Sequence, residues 1–560
     1  MAGARKPEDH TRDKTEIRRL AREVFGFEDL RPEQEDAVLA VLGGHDTLVV
    51  MPTGSGKSAI YQTAALLLDG PTVVVSPLIA LQLDQVEGLD ELDQDADDEQ
   101  NAGAAALNST LNQGERRELM ATLAAGQLEF LFLAPEQFAA GETLERLQAA
   151  QPSLFVVDEA HCISEWGHDF RPDYLRLGAA VEALGHPTVL ALTATAAPPV
   201  RNEIISRLRM RQPRVVIHGF ERPNIELAVE SFHDDDEKRA RLLDATQTTE
   251  KPGIVYAATR KHTMEVAEAL NERGIPAAAY HAGLPAAERE RVQNAFMNDE
   301  LAVIVATTAF GMGVDKPNVR FVHHLDVPGS IDAYYQQIGR AGRDGSPARA
   351  TLYYRPDDLN LQRFLAGSSL VTREDLERVA AAVAAPSSPQ QATALREQVG
   401  LSDTKLTLAL THLEEAGALR LQPKGYIVPL PDAPSPAEAA EEAERAQERR
   451  KTFEKSRLEM MRGYATTDDC RRAYLLNYFG QPYQGPCGHC DNCRAGTTSA
   501  TPDTRRQPFP IGSRVKHPSF GAGQVMRYEQ GKMTVLFDAH GYQTLAVDVV
   551  LDNDLLAPAA

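Results

Sequence analysis

Short runs of apolar, β-branched residues recur along the first two thirds of the chain, each followed by a longer stretch with helical spacing. TLVVM at 47–51, TVVVSP at 72–77, LEFLFLAP at 128–135, LFVVDE at 154–159 and TVLALTAT at 188–195 form one series. GIVYAATR at 253–260, AAAYHAG at 277–283, LAVIVATT at 301–308 and RFVHHLD at 320–326 form a second. Consecutive rather than alternating apolar positions mark strands buried on both faces, as in a parallel sheet covered by helices. The pattern predicts two tandem α/β domains, 1–215 and 216–366.

After residue 365 the pattern changes. Residues 371–428 read as a helix, then ATALREQVG, a turn at GLSD, a helix TKLTLALTHLEEAG and a hairpin ALRLQPKGYIV. Gly400 would make the turn and Ser402 the cap. This is a helix-turn-helix with a wing, placed at 367–430. A Pro/Ala/Glu linker leads into a helix over 431–455. A cysteine-bearing helical segment follows over 456–495, then a second linker over 496–508. The ending, 509–560, reads as a small all-β barrel with turns marked by Gly521, Gly523, Gly531 and Gly541.

Length and composition narrow the class. A chain of 560 residues exceeds one compact core. Its 43% hydrophobic and 25% charged residues suit a soluble globular protein. No apolar run approaches a membrane span, and the charged N-terminus lacks a secretory apolar stretch, so a cytoplasmic location without membrane partners is expected. The net charge of −22 is unusual for a nucleic-acid binder, but binding depends on where the basic residues sit. Residues 90–99 hold seven carboxylates and read as a solvated loop; 438–448 is a second acidic run. By contrast, residues 201–222 hold six arginines and a histidine against two glutamates.

Candidate chemistry lies at the strand ends. MPTGSGKS (51–58) follows the strand TLVV and opens a helical pattern, with Met51 where the usual phosphate-loop pattern has its first glycine. Backbone N–H groups of Thr53, Gly54, Ser55, Gly56, Lys57 and Ser58 would wrap the phosphates of ATP. Lys57 would neutralise β/γ-phosphate charge, and Ser58 would ligate Mg²⁺. Asp158 and Glu159 open DEAH after LFVV. Asp158 would hold Mg²⁺ through water, and Glu159 would orient and deprotonate the attacking water. Thr193-Ala194-Thr195 would link nucleotide state to domain closure. In QQIGRAGR, Gln336 is followed by Arg340 and Arg343, expected on a helix and suited to stabilising a transferring phosphoryl group when the domains close. Cys470, Cys487, Cys490 and Cys493 have the spacing of a four-thiolate structural Zn²⁺ site. His489 is a poor competing ligand, and Cys162 reads as a small packed residue.

Together these segments resemble superfamily 2 helicases, and within them the RecQ family, over about residues 17 to 360. The resemblance implies RecA-like folds for both α/β domains. Phe25-Gly26-Phe27 followed by Arg31-Pro32-Glu33-Gln34 is similar to that family's adenine-reading segment, which implies that Phe27 stacks on the base while Arg31 and Gln34 hydrogen-bond it. CISEWGHDFRPDYLRL is similar to the family's aromatic-rich loop. There Trp166 and Phe170 would stack on a single strand, with His168 and Arg171 relaying contact to the ATP site. Further RecQ-like stretches (SPLIALQLDQ, ALNST, FERPN, YAATRK, YHAGL, ATTAFGMGVDKPNVRFVHH) bring Ser76, Asn108, Arg260, His281 and Thr307 into the expected DNA-binding set.

The order of the C-terminal parts departs from that family: the winged helix precedes the zinc segment and none follows it. Lys405, His412, Arg420 and Lys424 give the wing a modest basic content that suits DNA contact and protein packing about equally. Residues 511–556 resemble the Tudor/SH3-like ending of UvrD-type helicases through Gly512, Val515, His517, Phe520-Gly521, Gly523, Val525 and Phe537. That implies a protein partner, RNA polymerase or a repair protein; a stabilising appendage is the alternative. The combined expectation is a 3′→5′ ATP-dependent DNA helicase of repair or recombination acting on single-stranded and forked DNA. An RNA-remodelling DEAH ATPase is one alternative, against which the aromatic loop and zinc segment weigh. A winged-helix/Tudor adaptor with an inactive motor is another, against which Lys57, Asp158, Glu159 and Arg343 weigh.

Overall fold

The computed structural model describes residues 10–25, 30–77, 79–94, 103–108, 111–139, 141–164, 171–311, 314–367, 371–385, 389–422, 426–483, 485–498, 507–529 and 531–559. The expectations for Phe27, Trp166, His168, Phe170 and Lys424 fall outside these residues. The chain divides into two units, Met1–Gly219 and Phe220–Ala560.

The first unit is built on a seven-stranded parallel sheet. Its strands are β1 (Thr47–Val50), β2 (Thr72–Val75), β3 (Ala104–Leu107), β4 (Phe130–Leu133), β5 (Leu154–Val157), β6 (Thr188–Thr193) and β7 (Arg214–Ile217). They lie in the order β3-β4-β2-β5-β6-β1-β7. Strands β1, β2, β4 and β5 are buried at every position, which is why their sequences are unbroken apolar runs. At the edge, β7 leaves Val215 and Ile217 exposed. Register places Val50 opposite Thr193, with β5 the next neighbour of β6, so the segments after β1, β5 and β6 leave the same end of the sheet. In open α/β sheets that carboxyl end is where ligands bind. The acidic run is not wholly a loop: the helix Ile79–Gln94 takes in its first five residues.

The second unit opens with a six-stranded parallel sheet. Strands β8 (Ile225–Ser231), β9 (Gly253–Tyr256), β10 (Ala277–Tyr280), β11 (Val303–Ala306), β12 (Phe321–His324) and β13 (Ala348–Tyr354) lie in the order β10-β11-β9-β12-β13-β8. Next come helices Arg373–Ala384, Ala392–Val399 and Asp403–Glu415 and a three-stranded sheet of β14 (Gln390–Gln391), β15 (Leu419–Gln422) and β16 (Tyr426–Pro429). Gly400 ends the middle helix at φ +69°, and the Ser402 hydroxyl accepts from Lys405 N–H at 3.4 Å, as turn and cap.

One 31-residue helix, Pro436–Thr466, follows, started by a capping box between Ser435 and Glu438. Its first turns give Ala439, Ala440 and Ala443 to the winged-helix core, alongside Leu376, Leu395, Leu410 and Leu413. The last sheet is antiparallel, β20-β19-β18-β17-β21, from β17 (Arg514–His517), β18 (Gly521–Glu529), β19 (Lys532–Phe537), β20 (Gly541–Ala546) and β21 (Ala557–Pro558). Gly523 is not a turn residue. It lies inside β18 opposite Phe537, where a Cβ would come within 2.7 Å of that ring. No helix among the described residues is long and apolar enough to cross a membrane.

Candidate functional site

In the first unit the phosphate loop lies between β1 and the helix Ser58–Ala65. Gly54 and Gly56 adopt φ +74° and +76°, a left-handed conformation that side chains resist. Gly56 has a second reason to be glycine: a Cβ there would sit 2.9 Å from Gln34 Nε2. That amide donates to the carbonyls of Ser55 at 3.1 Å and Gly56 at 2.8 Å, while Gln34 Oε1 accepts from Arg31 N–H at 2.7 Å. The segment expected to read adenine therefore also braces the loop from behind. Arg31 Nη1 lies 3.4 Å from His218 Nε2, and Glu33 Oε1 lies 3.1 Å from the other ring nitrogen. Gly56→Ala should weaken ATP binding and cost about 1–2 kcal/mol from the left-handed backbone alone; ATP titration and thermal melting check this.

Lys57 Nζ lies 3.4 Å from the Met51 carbonyl. The DEAH segment follows β5, on the strand separated from β1 by β6 alone. Burial first, then the Glu159 charge, push Asp158 up to about 6, with Lys57 pulling the other way. A carboxylate deprived of water and set beside another carboxylate fits a divalent cation, so Asp158 with Ser58 suits Mg²⁺. Glu159 stands at φ +47° and its N–H donates to Asp158 Oδ1 at 2.9 Å. Its carboxylate lies 3.2 Å from His161 Nδ1, which is also 3.1 Å from Thr193 Oγ1. Thr193 Oγ1 in turn accepts from Thr195 N–H at 3.2 Å. Hydrogen bonds thus join the DEAH and Thr-Ala-Thr segments through His161, a residue to which the sequence reading gave no role. Cys162 is fully buried beside it.

Around this end of the sheet, Ser76 and Asn108 are buried, and Arg171 Nη1 donates to the Pro77 carbonyl at 2.8 Å. Gln82, also unassigned from sequence, donates to the Ser76 carbonyl at 2.9 Å. Among the described residues the Ser76 hydroxyl has no hydrogen-bond partner.

In the second unit, Gln336 lies in the helix Ile331–Ile338, but Arg340 and Arg343 do not continue it. Gly339 caps the helix and Gly342 turns at φ +56°, so both arginines stand in the turns that follow. The reason is competition for carbonyls: Arg222 takes those of Gly339, Ala341 and Gly342, and Asn224 takes those of Gly342 and Ser346. These two residues belong to FERPN, where a side-chain role could have been sought. Arg343 Nη1 donates to the Val314 carbonyl at 3.0 Å and to Asp315 Oδ1 at 2.5 Å. Burial, then the like charge of Arg340, hold Arg343 below the usual guanidinium range. Two crowded guanidinium groups fit an anion.

The remaining expected DNA contacts lie at the carboxyl end of this second sheet. Thr307 follows β11 and His281 follows β10, while Arg260 opens the helix Arg260–Glu272 against Gly283, where a Cβ would come within 2.6 Å of its Nη1. His281 is 6% exposed, and neither ring nitrogen has a hydrogen-bond partner among the described residues.

The four cysteines form a closed cluster. Their sulfurs all lie within 4.8 Å of one another, and Cys487 and Cys493 are 3.9 Å apart. A tetrahedral Zn²⁺ with bonds of about 2.3 Å sets sulfurs about 3.8 Å apart. Cys470 caps the helix Arg471–Tyr478 rather than lying within it, and Cys490 caps Asp491–Ala495. The shell around the cluster is ordered: Asp491 accepts from Arg471 at 2.6 Å and from Val229 N–H on the edge strand β8 at 2.8 Å.

Three family models match the chain: the DEAD/DEAH box helicase over residues 31–203, the helicase conserved C-terminal domain over 237–345 and RecQ zinc-binding over 437–494. The ATP-dependent DNA helicase RecQ of Haemophilus influenzae is 36% identical over 85% of this chain, and the match spans 63% of that protein. The probable ATP-dependent DNA helicase RecS of Bacillus subtilis is 36% identical over 86% of this chain and 92% of its own length. In fold, the chain is similar to the Mycobacterium smegmatis helicase Lhr bound to ssDNA and AMP-PNP, with a TM-score of 0.51 at 21% identity over 78% of this chain and 61% of that one. Matched at 36% identity across most of the Bacillus subtilis protein, and by a RecQ zinc-binding model over its four-sulfur cluster, the chain belongs to the RecQ helicase family.

Proposed function

We propose that this protein is an ATP-dependent 3′→5′ DNA helicase acting in repair or recombination, working in the cytoplasm at the nucleoid. The observation that carries this reading is the grouping, at one end of the first sheet, of a braced phosphate loop with Lys57 and the Asp158–Glu159 pair. Lys57 and the loop amides bind the β/γ-phosphates; Ser58 directly and Asp158 through water would hold Mg²⁺, which would supply charge neutralisation on the phosphates. Glu159, steadied by His161, orients the attacking water and takes its proton. Arg340 and Arg343 offset charge on the transferring phosphoryl group. The four cysteines hold a structural Zn²⁺, with no ligand position left for chemistry.

DNA contact is assigned to Ser76, Asn108, Arg171, Arg260, His281 and Thr307 together with Trp166, His168 and Phe170. What supports this set is the place of Ser76, Thr307 and His281 directly after strands β2, β11 and β10, at the carboxyl ends of the two sheets. The C-terminal barrel is the candidate surface for a protein partner.

ATPase assays with single-stranded DNA and with RNA of the same sequence test the reading. DNA should stimulate turnover and RNA should not; equal stimulation by RNA would favour the remodelling class instead. Trp166→Ala should keep ATP affinity and lose most of the DNA stimulation, since stacking is worth about 1–3 kcal/mol per base. A variant that melts lower yet keeps its full fold-stimulation would remove Trp166 from the coupling path.

A further inference from the structure

The C-terminal barrel has its own core of Val515, Val525, Met533, Val535, Phe537 and Val547, so a tethered and independent module is the ordinary expectation. Its contacts show otherwise. Tyr542 on β20 is 6% exposed and stacks on Tyr478 at 5.2 Å between ring centroids and on Phe453 at 6.2 Å. Its N–H donates to Ser456 Oγ at 3.1 Å. The preceding Gly541 stands at φ +67°, and a Cβ there would overlap Ser456 Oγ and lie 2.9 Å from the Phe453 ring. Glycine is therefore needed both for the turn and for the approach. On β18, the buried Arg527 lays its guanidinium 3.8 Å over the Tyr474 ring and pairs with Glu529, which also accepts from the Thr467 hydroxyl. Tyr474 is seated on the long helix at Gly463, where a Cβ would meet its hydroxyl at 2.5 Å. The Arg527–Glu529 pair lies within one strand, so what joins it to the body is the Tyr474 ring under the guanidinium and the Thr467 hydroxyl on Glu529.

The contact continues inward. On the other side of the Tyr542–Tyr478 stack, the Tyr478 hydroxyl donates to Asp332 Oδ2 at 2.5 Å. Buried Arg457, from the long helix, reaches the same oxygen at 3.0 Å and Ser330 Oγ at 2.9 Å. Ser330 is the N-cap of the helix Ile331–Ile338, its hydroxyl accepting from Ala333 N–H at 3.2 Å. That helix carries Gln336 and delivers Arg340 and Arg343 at its far end. Eight helical residues span about 12 Å, short enough to move as a rigid rod. A shift at Asp332 is then carried to Gly339, where the arginine-bearing turn begins.

We propose that the barrel is a fixed part of the motor: by seating Tyr542 against Tyr478 and Phe453 it holds Tyr478 and Arg457 on Asp332 and so sets the position of the arginine-bearing turn. Asp332, Arg457, Tyr478 and Tyr542 are positioning residues for ATP turnover. The inference rests on the reading that Arg340 and Arg343 serve hydrolysis.

The test uses the full chain with a protease site placed between residues 498 and 507, so that the protein folds and loads zinc before the barrel is cut loose. Tyr542→Ala and Tyr542→Phe are made in the same background. After cleavage the wild-type barrel should co-elute with the body, whereas Tyr542→Ala should shed it. Loss of the barrel should lower kcat roughly tenfold, since small misplacements of catalytic groups cost that much or more, with KM for ATP and zinc content unchanged. Tyr542→Phe, which keeps the stack and the backbone hydrogen bond, should behave as wild type. A body that has lost the barrel, kept its zinc and turns over at the wild-type rate overturns the proposal alone. A wild-type chain with no turnover overturns it together with the ATPase reading.

Discussion

Replacing Lys57 with alanine should lower ATP turnover by roughly 10²–10³-fold, the cost of removing one aimed charge from a site built on electrostatic stabilisation. Lys57 is the side-chain cation of the phosphate loop, and it also opposes the burial that pushes Asp158 up to about 6. On the proposed assignment the substitution removes a phosphate ligand and leaves Asp158 easier to protonate, which should weaken Mg²⁺ binding as well. Glu159→Gln separates the roles. The amide cannot accept the water's proton, so hydrolysis should fall by about 10²–10⁴-fold while ATP still binds. Steady-state ATPase rates beside equilibrium nucleotide binding measure both; wild-type turnover in either variant would contradict the assignment.

The second large effect is expected at the cysteines. Cys487→Ala should eliminate bound zinc and loosen the region around residues 456–495, because in such sites metal-binding energy is folding energy. Cys487 is the cluster's hub: its sulfur accepts from Cys490 N–H at 3.4 Å and lies 3.9 Å from Cys493. The consequence should reach further than the cluster. Asp491 ties it to β8, and Arg472 from the adjoining helix donates to the carbonyls of Arg222 and Ile225, so the bracing of the arginine turn depends on it. Elemental analysis of the purified protein should find one zinc per wild-type chain and none in the variant, with a lower and broader melting transition. A zinc-free wild type that melts cooperatively would contradict the site.

How far the sequence can be read depends on how local each interaction is. The central parallel strands were legible because burial on both faces leaves unbroken apolar runs such as TLVV and FLFL. Strands β7 and β8 were not: β7 carries the short run Val215-Val216-Ile217 on an exposed edge rather than in the core, and β8 mixes polar with apolar residues. The phosphate loop, the acidic pair and the cysteine set were legible because each is a local spacing that its chemistry demands.

The placement of Arg340 and Arg343 on a helix was incorrect because Arg222 and Asn224, more than a hundred residues upstream, take the carbonyls that a continuing helix would have used. Gly523 read as a turn because glycine marks turns more often than it marks a ring pressed against a strand. The seating of the barrel left no trace in any one segment, since Phe453, Tyr478 and Tyr542 come from three separate elements.

Strand displacement tests the central claim most directly. Duplexes of equal length carrying a 3′ single-stranded tail, a 5′ tail or blunt ends should be offered to the full chain with ATP and Mg²⁺, and again with a non-hydrolysable analogue. The account predicts unwinding of the 3′-tailed duplex, little of the 5′-tailed or blunt ones, and none with the analogue. Unwinding that proceeds without hydrolysis, or ATP turnover that never separates a tailed DNA duplex, would contradict it.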